Sequence, residues 1–369
     1  MRTTDLPTSP RRHGADGTVP LRHAHRGPAP MTATVEPPAD ATAAEARRAE
    51  LEGQLDGYRR ELTGYCYRML GSSFDAEDAV QNAMVRAWRA LDRFDGRSSL
   101  RTWLYRITHN VCLDMLRGKQ RRALPMDLGP VSTADVHLGA PLAGETWLEP
   151  VATGRVVPTD LDPAERAVQS ESIRLAFVSA LQELPPKQRA VLILREVLRW
   201  PAADVAVLLD TTVAGVNSAL QRARATLDAD GRATPVAVDD EGDKVLLAQY
   251  VEAFEGFDLD RLVALLHEDA THSMPPWPLW LRGPEEWKAW NLGPGAECEG
   301  SRLLPIDING SQGFAQYRPS GPDGRHEPWA VHLLEIVDGK IANITYFVDM
   351  DHSLFPHLGL PDHPDDVAA

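Results

Sequence analysis

Cysteine is scarce in this chain, with 3 residues in 369, at Cys66, Cys112 and Cys298. They lie far apart and show no paired spacing, which argues against a disulfide framework and against a zinc site. No apolar run approaches the roughly 20 residues that span a bilayer, and the N-terminal stretch lacks the apolar core of a secretory signal. We therefore expect a cytoplasmic protein with no membrane span, no metal and no other cofactor.

Net positive charge is also lacking, since the formal net charge is -15, but the charge is unevenly distributed. Residues 236–369 contain 24 Asp and Glu against 8 Lys and Arg, a balance of -16, which leaves +1 for residues 1–235. Residues 59–122 contain 13 Arg and Lys against 7 Asp and Glu, a balance of +6. The acidic average therefore does not exclude a nucleic-acid partner for the first part of the chain.

The length and the changes in composition predict several domains. Residues 1–48 are rich in Pro, Ala, Thr and Arg without periodicity, which predicts a disordered segment; Met31 is an alternative start. Helical periodicity and Pro-rich or short polar stretches then divide the chain into the following predicted parts: a helical domain at 49–122, a linker at 123–162, a second helical domain at 163–232, a short linker at 233–240, an α+β domain at 241–361 and a tail at 362–369.

The clearest helix of the first domain begins near Asp75. Its apolar residues recur at spacings of three and four and predict one buried face, made of Val80, Ala83, Met84, Ala87, Trp88 and Leu91. A turn at residues 95–99 precedes a second amphipathic helix. In the second domain, residues 201–224 have helix-turn-helix form, with the turn at 210–212. Alone, that form is equally typical of two packed helices that bind no DNA.

The last third of the chain is predicted to form two helices followed by strands. The predicted strands, rich in β-branched and aromatic residues, are Arg302–Ile308, Gly313–Arg318, Trp329–Val337 and Ile341–Val348. Asp338 and Gly339 between the last two indicate a hairpin. The predicted fold class is therefore multidomain: two all-α domains, the second with a helix-turn-helix, followed by an α+β cone.

Three stretches carry a family resemblance. The run from Asp75 to Arg89, with Phe94 to Ser99 and Arg101 to Ile107, resembles the second conserved region of extracytoplasmic-function sigma factors of the sigma-70 family. Leu184 to Leu192, followed by the helix-turn-helix, resembles their fourth region. Tyr250 to Phe254, continuing to Leu354–Pro356 and Gly359–Pro361, resembles the SnoaL-like (NTF2-like) domain of the SigG type.

The resemblance implies a transcription factor and not an enzyme: a sigma factor that binds core RNA polymerase, directs promoter recognition and DNA melting, and initiates transcription. It implies contacts with the β′ clamp helices and the β flap of the polymerase. The residues implied for core binding are Asp75, Glu77, Asp78, Gln81, Asn82 and Arg86. Exposed carboxylates there are suited to steering toward a basic partner surface.

The resemblance also implies two DNA-binding surfaces. Capture of the melted minus-ten element is implied for Arg97, Ser98, Ser99, Arg101, Trp103, Tyr105, Arg106, Asn110 and Arg117, which combine positive charge with stacking groups. Core packing is an equal alternative for Trp103. Minus-thirty-five recognition is implied for the helix-turn-helix (202–221) with Thr211, Thr212, Val213, Asn217, Ser218, Gln221, Arg222 and Arg224. Many relatives place Lys and Arg where this chain has Asn217 and Ala219, which predicts weak binding through this helix.

For the C-terminal domain, regulation competes with an alternative: a DNA-binding module fused to a SnoaL-like small-molecule sensor or a cyclase or isomerase type of enzyme. The acid–base candidates would be His272, His332, Asp349 and Asp351, for which structural roles are the default, so no catalytic residue is predicted. A cluster at Trp277, Trp280, Trp287 and Trp290 could line a ligand pocket or an interface. The charge division leads us to expect intramolecular contact between this acidic domain and the sigma core.

Overall fold

The computed structural model describes residues 39–230 and 240–366. Its α-helices are α1 (Ala39–Leu55), α2 (Arg59–Leu70), α3 (Ser73–Ala90), α4 (Leu100–Leu116), α5 (Pro125–Leu128), α6 (Thr153–Val156), α7 (Pro163–Glu171), α8 (Leu175–Gln182), α9 (Pro186–Leu192), α10 (Ala202–Leu208), α11 (Val213–Asp230), α12 (Asp240–Glu255), α13 (Leu259–Leu265), α14 (Pro284–Leu292) and α15 (Leu354–Leu358). The strands are β1 (Leu266–Ser273), β2 (Trp280–Arg282), β3 (Arg302–Ile308), β4 (Ser311–Arg318), β5 (Glu327–Val337) and β6 (Lys340–Val348).

The N-terminal prediction is corrected in part. Residues 1–38 lie outside the described residues, but residues 39–48, which we predicted to be disordered, belong to α1. The stretch after Ala39 is dominated by Ala, Glu and Arg, which are strong helix formers, and this local propensity outweighs the Pro-rich composition that precedes it. Of the predicted short linker at 233–240, residues 233–239 also lie outside the described residues, and residue 240 begins α12.

Helices α2, α3 and α4 build the first helical domain. Ser72 begins α3 by accepting a hydrogen bond from the Asp75 amide, and Ser99 begins α4 by accepting one from the Thr102 amide, both at 3.0 Å. Such N-caps each stabilise a helix by about 1 kcal/mol. The predicted apolar face of α3 is buried except at Trp88, whose side chain is 53% exposed. Trp88 is therefore a surface residue and not a core residue as predicted.

The segment predicted as a linker, residues 123–162, is packed and not a free spacer. Trp147, Leu148, Val151 and Val156 are at most 3% exposed, and the last three belong to the core formed by the helical domains. The Leu148 amide donates to Ala123 O at 3.1 Å, and the Glu149 amide donates to Gly71 O at 3.0 Å. Isolated apolar residues among prolines and glycines carry no periodic signal, so sequence patterning did not reveal this packing.

Helices α7 to α11 form the second helical domain, and its core is continuous with that of the first. Two buried arginines join the domains. Arg68 on α2 donates to Ser172 Oγ at 2.7 and 3.0 Å and to Gln169 Oε1 at 2.8 Å. Arg189 on α9 donates to the Met69 carbonyl. Burial lowers the pKa of both guanidinium groups to about 10, because loss of hydration disfavours the charged form.

The C-terminal part is an α+β cone with a mixed six-stranded sheet in the order β2-β1-β6-β5-β4-β3. Strand β1 is parallel to β6, and every other neighbouring pair is antiparallel. Strands β3 to β6 coincide with the four predicted strands within two residues at either end. Strands β1 and β2 and helix α14 were not predicted, because β1 has the polar sequence His267-Glu268-Asp269 near its start and β2 has only 3 residues.

Both faces of this sheet are buried, each against a different part of the protein. One face packs under α12 to α14 and encloses the cone's own core, which includes Tyr250, Phe314 and Ile344. The other face packs on the helical domains and includes Tyr317, Val331 and Phe347. The cone is thus packed against the helical part of the chain, and the described residues from Arg47 onward belong to one compact unit.

No single helix within 39–230 and 240–366 is long and apolar enough to cross a membrane. The bent pair α10 and α11 meets the length and composition criterion when its two helices are taken together.

Candidate functional site

The exposed face of α3 is the first candidate surface. Asp78, Gln81, Asn82 and Arg86 of the predicted set are exposed there, and Arg86 pairs with Asp114 at 3.1 Å. Val85 and Trp88, 42% and 53% exposed, add apolar area between the polar residues. We call this set the α3 surface: Asp78, Gln81, Asn82, Val85 and Trp88. The two apolar members were not predicted, because Trp88 fits the helical spacing of the buried face and Val85 lies outside that pattern.

Asp75 and Glu77, the other two predicted core-binding residues, are engaged inside the chain. Asp75 Oδ2 accepts from Arg122 at 2.8 Å, and Arg122 is only 9% exposed. Glu77 pairs with Arg155 and lies 3.8 Å from His357 Nδ1 of α15. In this conformation both carboxylates therefore hold neighbouring segments in place.

The predicted minus-ten set divides into exposed and covered residues. Arg97, Ser99, Arg106, Asn110 and Arg117 are exposed, and Ser98 is partly exposed. Arg106 and Asn110 are four residues apart and share one face of α4, and Arg117 is the residue that follows the end of this helix. Trp103 is half-buried, with its ring 5.3 Å from that of Phe94, so packing accounts for part of its surface.

Two members of that set are not available to a base in this conformation. Tyr105, predicted as a stacking group, is fully buried in this conformation, with its ring 4.8 Å from Trp200 of the second helical domain. Arg101 donates twice to Glu61, at 2.8 and 3.0 Å, and lies over Trp200 at 4.9 Å. Arg106, although exposed, donates to the Val207 carbonyl of α10 at 2.7 Å. The second helical domain therefore covers part of the α4 face.

The helix-turn-helix is formed as predicted by α10, a turn at Asp210 with φ 48°, and α11. Thr212 Oγ1 accepts from the Gly215 amide at 3.0 Å at the start of α11. The exposed predicted residues are Thr212, Val213, Asn217, Ser218, Gln221, Arg222 and Arg224, and Thr211 is half-buried. Arg222 bonds Ser218 at 2.8 Å and Arg224 pairs with Glu196 at 2.6 Å. The first two turns of this face carry no basic residue.

Ala219 is 1% exposed and faces the core. The sequence interpretation that a basic residue missing there removes a DNA contact is therefore wrong. The weak charge of this surface instead follows from Asn217, Ser218 and Gln221, which face solvent.

Three of the four acid–base candidates in the cone have structural roles. Asp349 accepts from the Leu354 and Phe355 amides at 3.0 and 3.1 Å and so holds the start of α15. Asp351 accepts from Ser353 Oγ at 2.7 Å in an exposed turn. His332 bonds Gln316 Oε1 at 2.9 Å and Tyr250 Oη at 3.0 Å, so both of its nitrogens are used. His272 is the candidate for which no partner is found among the described residues.

A hairpin turn of the cone enters the crevice between the helical domains. Asn309 Nδ2 donates to Tyr67 Oη at 2.6 Å and to Ile173 O at 2.7 Å, and Asn309 Oδ1 accepts from the Val151 amide at 3.0 Å. Gly310, with φ 73°, donates to Thr153 Oγ1 at 3.0 Å, and a Cβ there would collide with Ser170 O. We call the Asn309–Gly310 turn and these contacts the latch, because it contacts both helical domains and the segment between them.

The C-terminal helix makes a second contact. The ring of His357 on α15 stacks on Phe74 at the start of α3, with centroids 3.7 Å apart and an interplanar angle of 17°. Burial lowers the pKa of His357, opposed by the nearby Glu77 carboxylate. The cone thus contacts the same helix that carries the α3 surface. Among the described residues, no group of three or more His, Cys, Asp or Glu side chains is placed to hold a metal ion.

Comparison with known families matches three parts of the chain. Residues 55–122 match Sigma-70 region 2, residues 174–227 match Sigma-70 region 4, and residues 247–344 match the SnoaL-like domain. These ranges correspond to the first helical domain, the second helical domain and the cone.

Two curated relatives from Mycobacterium tuberculosis cover most of the chain. The ECF RNA polymerase sigma factor SigG is 41% identical over 333 residues, 86% of either chain. The ECF RNA polymerase sigma factor SigJ is 30% identical over 304 residues, which is 78% of this chain and 88% of that one. The crystal structure of M. tuberculosis SigJ is similar with a TM-score of 0.55 at 25% identity, covering 85% of this chain and 99% of that chain.

Proposed function

The chain belongs to the extracytoplasmic-function sigma factors of the SigG type, with a C-terminal SnoaL-like domain, and from this premise we propose how its surfaces serve transcription initiation. As a sigma factor it acts with core RNA polymerase and promoter DNA. The first helical domain is sigma region 2, the second is sigma region 4, and the cone is the SnoaL-like domain. The proposal concerns which residues bind which partner, and what the cone does.

The α3 surface binds the β′ clamp helices of the polymerase. Asp78 supplies the charge that steers toward a basic partner, Gln81 and Asn82 supply hydrogen bonds, and Val85 with Trp88 supplies apolar area at the centre. An exposed Trp amid polar residues is typical of the residues that dominate binding energy at interfaces. Asp75, Glu77 and Arg86 act at the edge of this surface. Region 4 contacts the β flap.

The face of α4 with Arg106 and Asn110, together with Arg117 at the end of this helix and the turn at 97–99, captures the melted minus-ten strand. Full access requires region 4 to leave this face, because Val207 and Trp200 contact Arg106 and Tyr105 there. Helix α11 enters the major groove at the minus-thirty-five element with few charged contacts, so region 2 supplies most of the DNA affinity.

The cone regulates the sigma factor by holding regions 2 and 4 in this closed arrangement. The single observation that carries the proposal is the latch, where Asn309 bonds Tyr67 of region 2 and Ile173 of region 4 at once. Opening must break these bonds together with the stacking of His357 on Phe74. An enzymatic role is not proposed, since Asp349 and His332 are committed to structural contacts.

Run-off transcription with core polymerase tests whether the cone regulates initiation, by comparing Ala substitutions at two matched glycines. Gly310→Ala places a methyl group against Ser170 O in the latch, whereas Gly339→Ala, at a hairpin turn with φ 69°, meets nothing within 4 Å. The free-energy cost of placing Ala at a positive φ is the same at φ 73° and φ 69°. Any difference in activity between the two variants therefore comes from the latch.

We expect Gly310→Ala to raise initiation at a cognate promoter above both the parent and Gly339→Ala. Equal activity of the two variants, with both folded by circular dichroism, would contradict regulation through the latch. Deletion after residue 235 in the same assay shows whether the cone acts at all.

A further inference from the structure

Trp200 belongs to region 4 but packs against helix α4 of region 2. Its side chain is 5% exposed, and the centroid of its ring lies 4.8 Å from that of Tyr105, which is fully buried. The Arg101 guanidinium lies over the indole at 4.9 Å and is held there by its two bonds to Glu61. A phenol ring and a guanidinium of one domain thus contact a single indole of the other.

The polar atoms at this contact lack partners. Trp200 Nε1 has no hydrogen-bond partner among the described residues. The Tyr105 hydroxyl is close to the Arg101 guanidinium but forms no complete hydrogen bond within residues 39–230 and 240–366. Buried polar groups in native proteins are nearly always hydrogen-bonded, and an exception calls for a reason. This interface leaves two such groups open for another partner.

The backbone of region 4 fixes Trp200 in this position. The Trp200 amide donates to Leu194 O at 2.9 Å, and Arg195 donates to the Trp200 carbonyl. The preceding residue, Arg199, has φ 57°, a left-handed conformation that is unfavourable for any residue with a Cβ. Such strain persists where the surrounding structure over-determines a position, often at a functional site. Region 4 therefore presents the indole to α4 in a fixed position.

The groups around the indole are those that proteins use to hold an unstacked nucleobase. Such bases stack on aromatic side chains and on guanidinium planes, and hydrogen bonds to the edge of the base complete the site. An indole is a flat two-ring system with one N–H donor, and so it resembles a purine in outline. Trp200 thus matches a purine base in size and in chemistry.

Regions 2 and 4 cannot stay in contact while both promoter elements are read. The two elements lie about 25 base pairs apart, or roughly 85 Å along the duplex. In the closed arrangement, by contrast, Arg106 of α4 bonds the Val207 carbonyl of α10 at 2.7 Å. Reading both elements therefore removes the indole from Tyr105 and Arg101, and a base of the melted strand is available to replace it.

We propose that Trp200 occupies the pocket in which region 2 holds one unstacked purine base of the melted strand, so that region 4 inhibits region 2 by taking the place of DNA. We call Arg101 and Tyr105 the base pocket. The inference rests on the minus-ten role of α4 proposed above. It goes beyond that role because it names the side chain that inhibits this site and the group that replaces it.

Two single-stranded heptamers test the base pocket in the full-length protein. One consists of abasic nucleotides with a single central adenine, and the other is wholly abasic, so that both carry the same phosphate charge. In the parent we expect the adenine to add little affinity, because the base must first displace the indole. Trp200→Leu keeps an apolar side chain but removes the rings. It should bind the adenine heptamer about tenfold more tightly than the abasic heptamer, since a stacked base contributes at least that much.

Trp329→Leu is the matched control, because Trp329 on β5 of the cone also pairs its ring with a guanidinium, that of Arg318 at 3.6 Å. This variant should show the small adenine preference of the parent. Adding Arg101→Gln to Trp200→Leu should bring the affinities for the two heptamers together again, which would assign the preference to the base pocket.

A second measurement follows Trp200 itself in protein labelled with 5-fluorotryptophan, where Trp200→Phe assigns its ¹⁹F resonance. Saturating adenine heptamer should move this resonance toward that of a solvent-exposed indole, and the abasic heptamer at the same concentration should not. The label keeps the native side chain, so this result does not depend on the folding of Trp200→Leu.

The inference would be overturned by an adenine preference in Trp200→Leu no greater than in the parent, by absence of binding of either heptamer to that variant, or by an unmoved Trp200 resonance. Failure of the minus-ten role is scored separately, by permanganate reactivity in Asn110→Ala with Arg117→Ala, so the two failures are distinguishable.

Discussion

Replacing Asn309 by Ala should loosen the cone from the sigma regions by a predictable amount. The change removes the two bonds to Tyr67 and Ile173 and the bond from the Val151 amide. Each of these three hydrogen bonds contributes about 1 kcal/mol net, so their loss shifts the free energy of opening by roughly 3 kcal/mol in favour of the open latch. Since 1.4 kcal/mol is tenfold, the open population should rise on the order of a hundredfold. Backbone strain adds to this, because Asn309 has φ 50° and Ala tolerates that conformation poorly.

Asp338→Ala supplies the control for that strain. Asp338 has the same φ of 50° at the start of an exposed hairpin turn beside Gly339, far from the latch in sequence. Native-state hydrogen exchange at the Gly310 amide, which keeps its own acceptor Thr153 Oγ1, reports latch opening in each variant. We expect protection there to fall roughly a hundredfold in Asn309→Ala and to stay near the parent value in Asp338→Ala. Equal protection in the two variants would refute the latch as an energetic contact.

Three further outcomes follow from the geometry. Asp78→Lys should weaken core polymerase binding in a pull-down with the fold intact by circular dichroism, and unchanged binding would count against the α3 surface. Asn110→Ala with Arg117→Ala should reduce permanganate reactivity of promoter thymines, and unchanged reactivity would remove the minus-ten assignment. The pKa values of His272 and His332, lowered to about 3 by burial, lie below the value of about 6.5 in an unfolded chain. Protons therefore favour unfolding as pH falls below 6.5, and urea titrations at pH 7 and 5 should differ by about 2 kcal/mol per histidine, with no such difference if both rings are solvated.

Much of the fold could be predicted because its elements obey local rules. Three such features depend only on residues that are close together in the sequence: the apolar periodicity of α3 and α4, their serine caps and the Asp338–Gly339 hairpin. Strand β1 could not be found this way, because its outer residues Glu268 and Asp269 are exposed and polar. Its strand geometry comes from pairing with β6, a partner some seventy residues away along the chain.

The candidate surfaces were predictable only where exposure follows from helical spacing. Asp78, Gln81 and Asn82 face solvent because the opposite side of α3 is apolar. The burial of Tyr105 was not predictable, since it depends on Trp200 arriving from another domain. The same holds for the latch: an Asn-Gly pair predicts a tight turn but does not indicate what that turn contacts. His272 likewise could be named as a candidate, but only the structure distinguishes it from His332, whose nitrogens are both bonded.

The final prediction concerns how salt affects the contact between the cone and the sigma regions. From the charge division we expected contact between the acidic cone and the sigma core, and if exposed charge pairs carried that contact, its effect would shrink at high salt. Most of the contacts named at the interface are neutral: the amide of Asn309, the apolar sheet face with Val331 and Phe347, and the stacking of His357 on Phe74. Charged groups also meet there, but the Glu335 carboxylate of β5, which interacts with Arg174, is largely buried, where salt screens it little. Screening acts on exposed ions and leaves such contacts nearly unchanged. The ratio of promoter binding between Gly310→Ala and the parent should therefore stay constant from low to high ionic strength, although both affinities fall as phosphate contacts weaken. A ratio that approaches one as salt increases would restore the electrostatic account, in which the acidic surface of the cone competes with DNA for the basic residues of region 2.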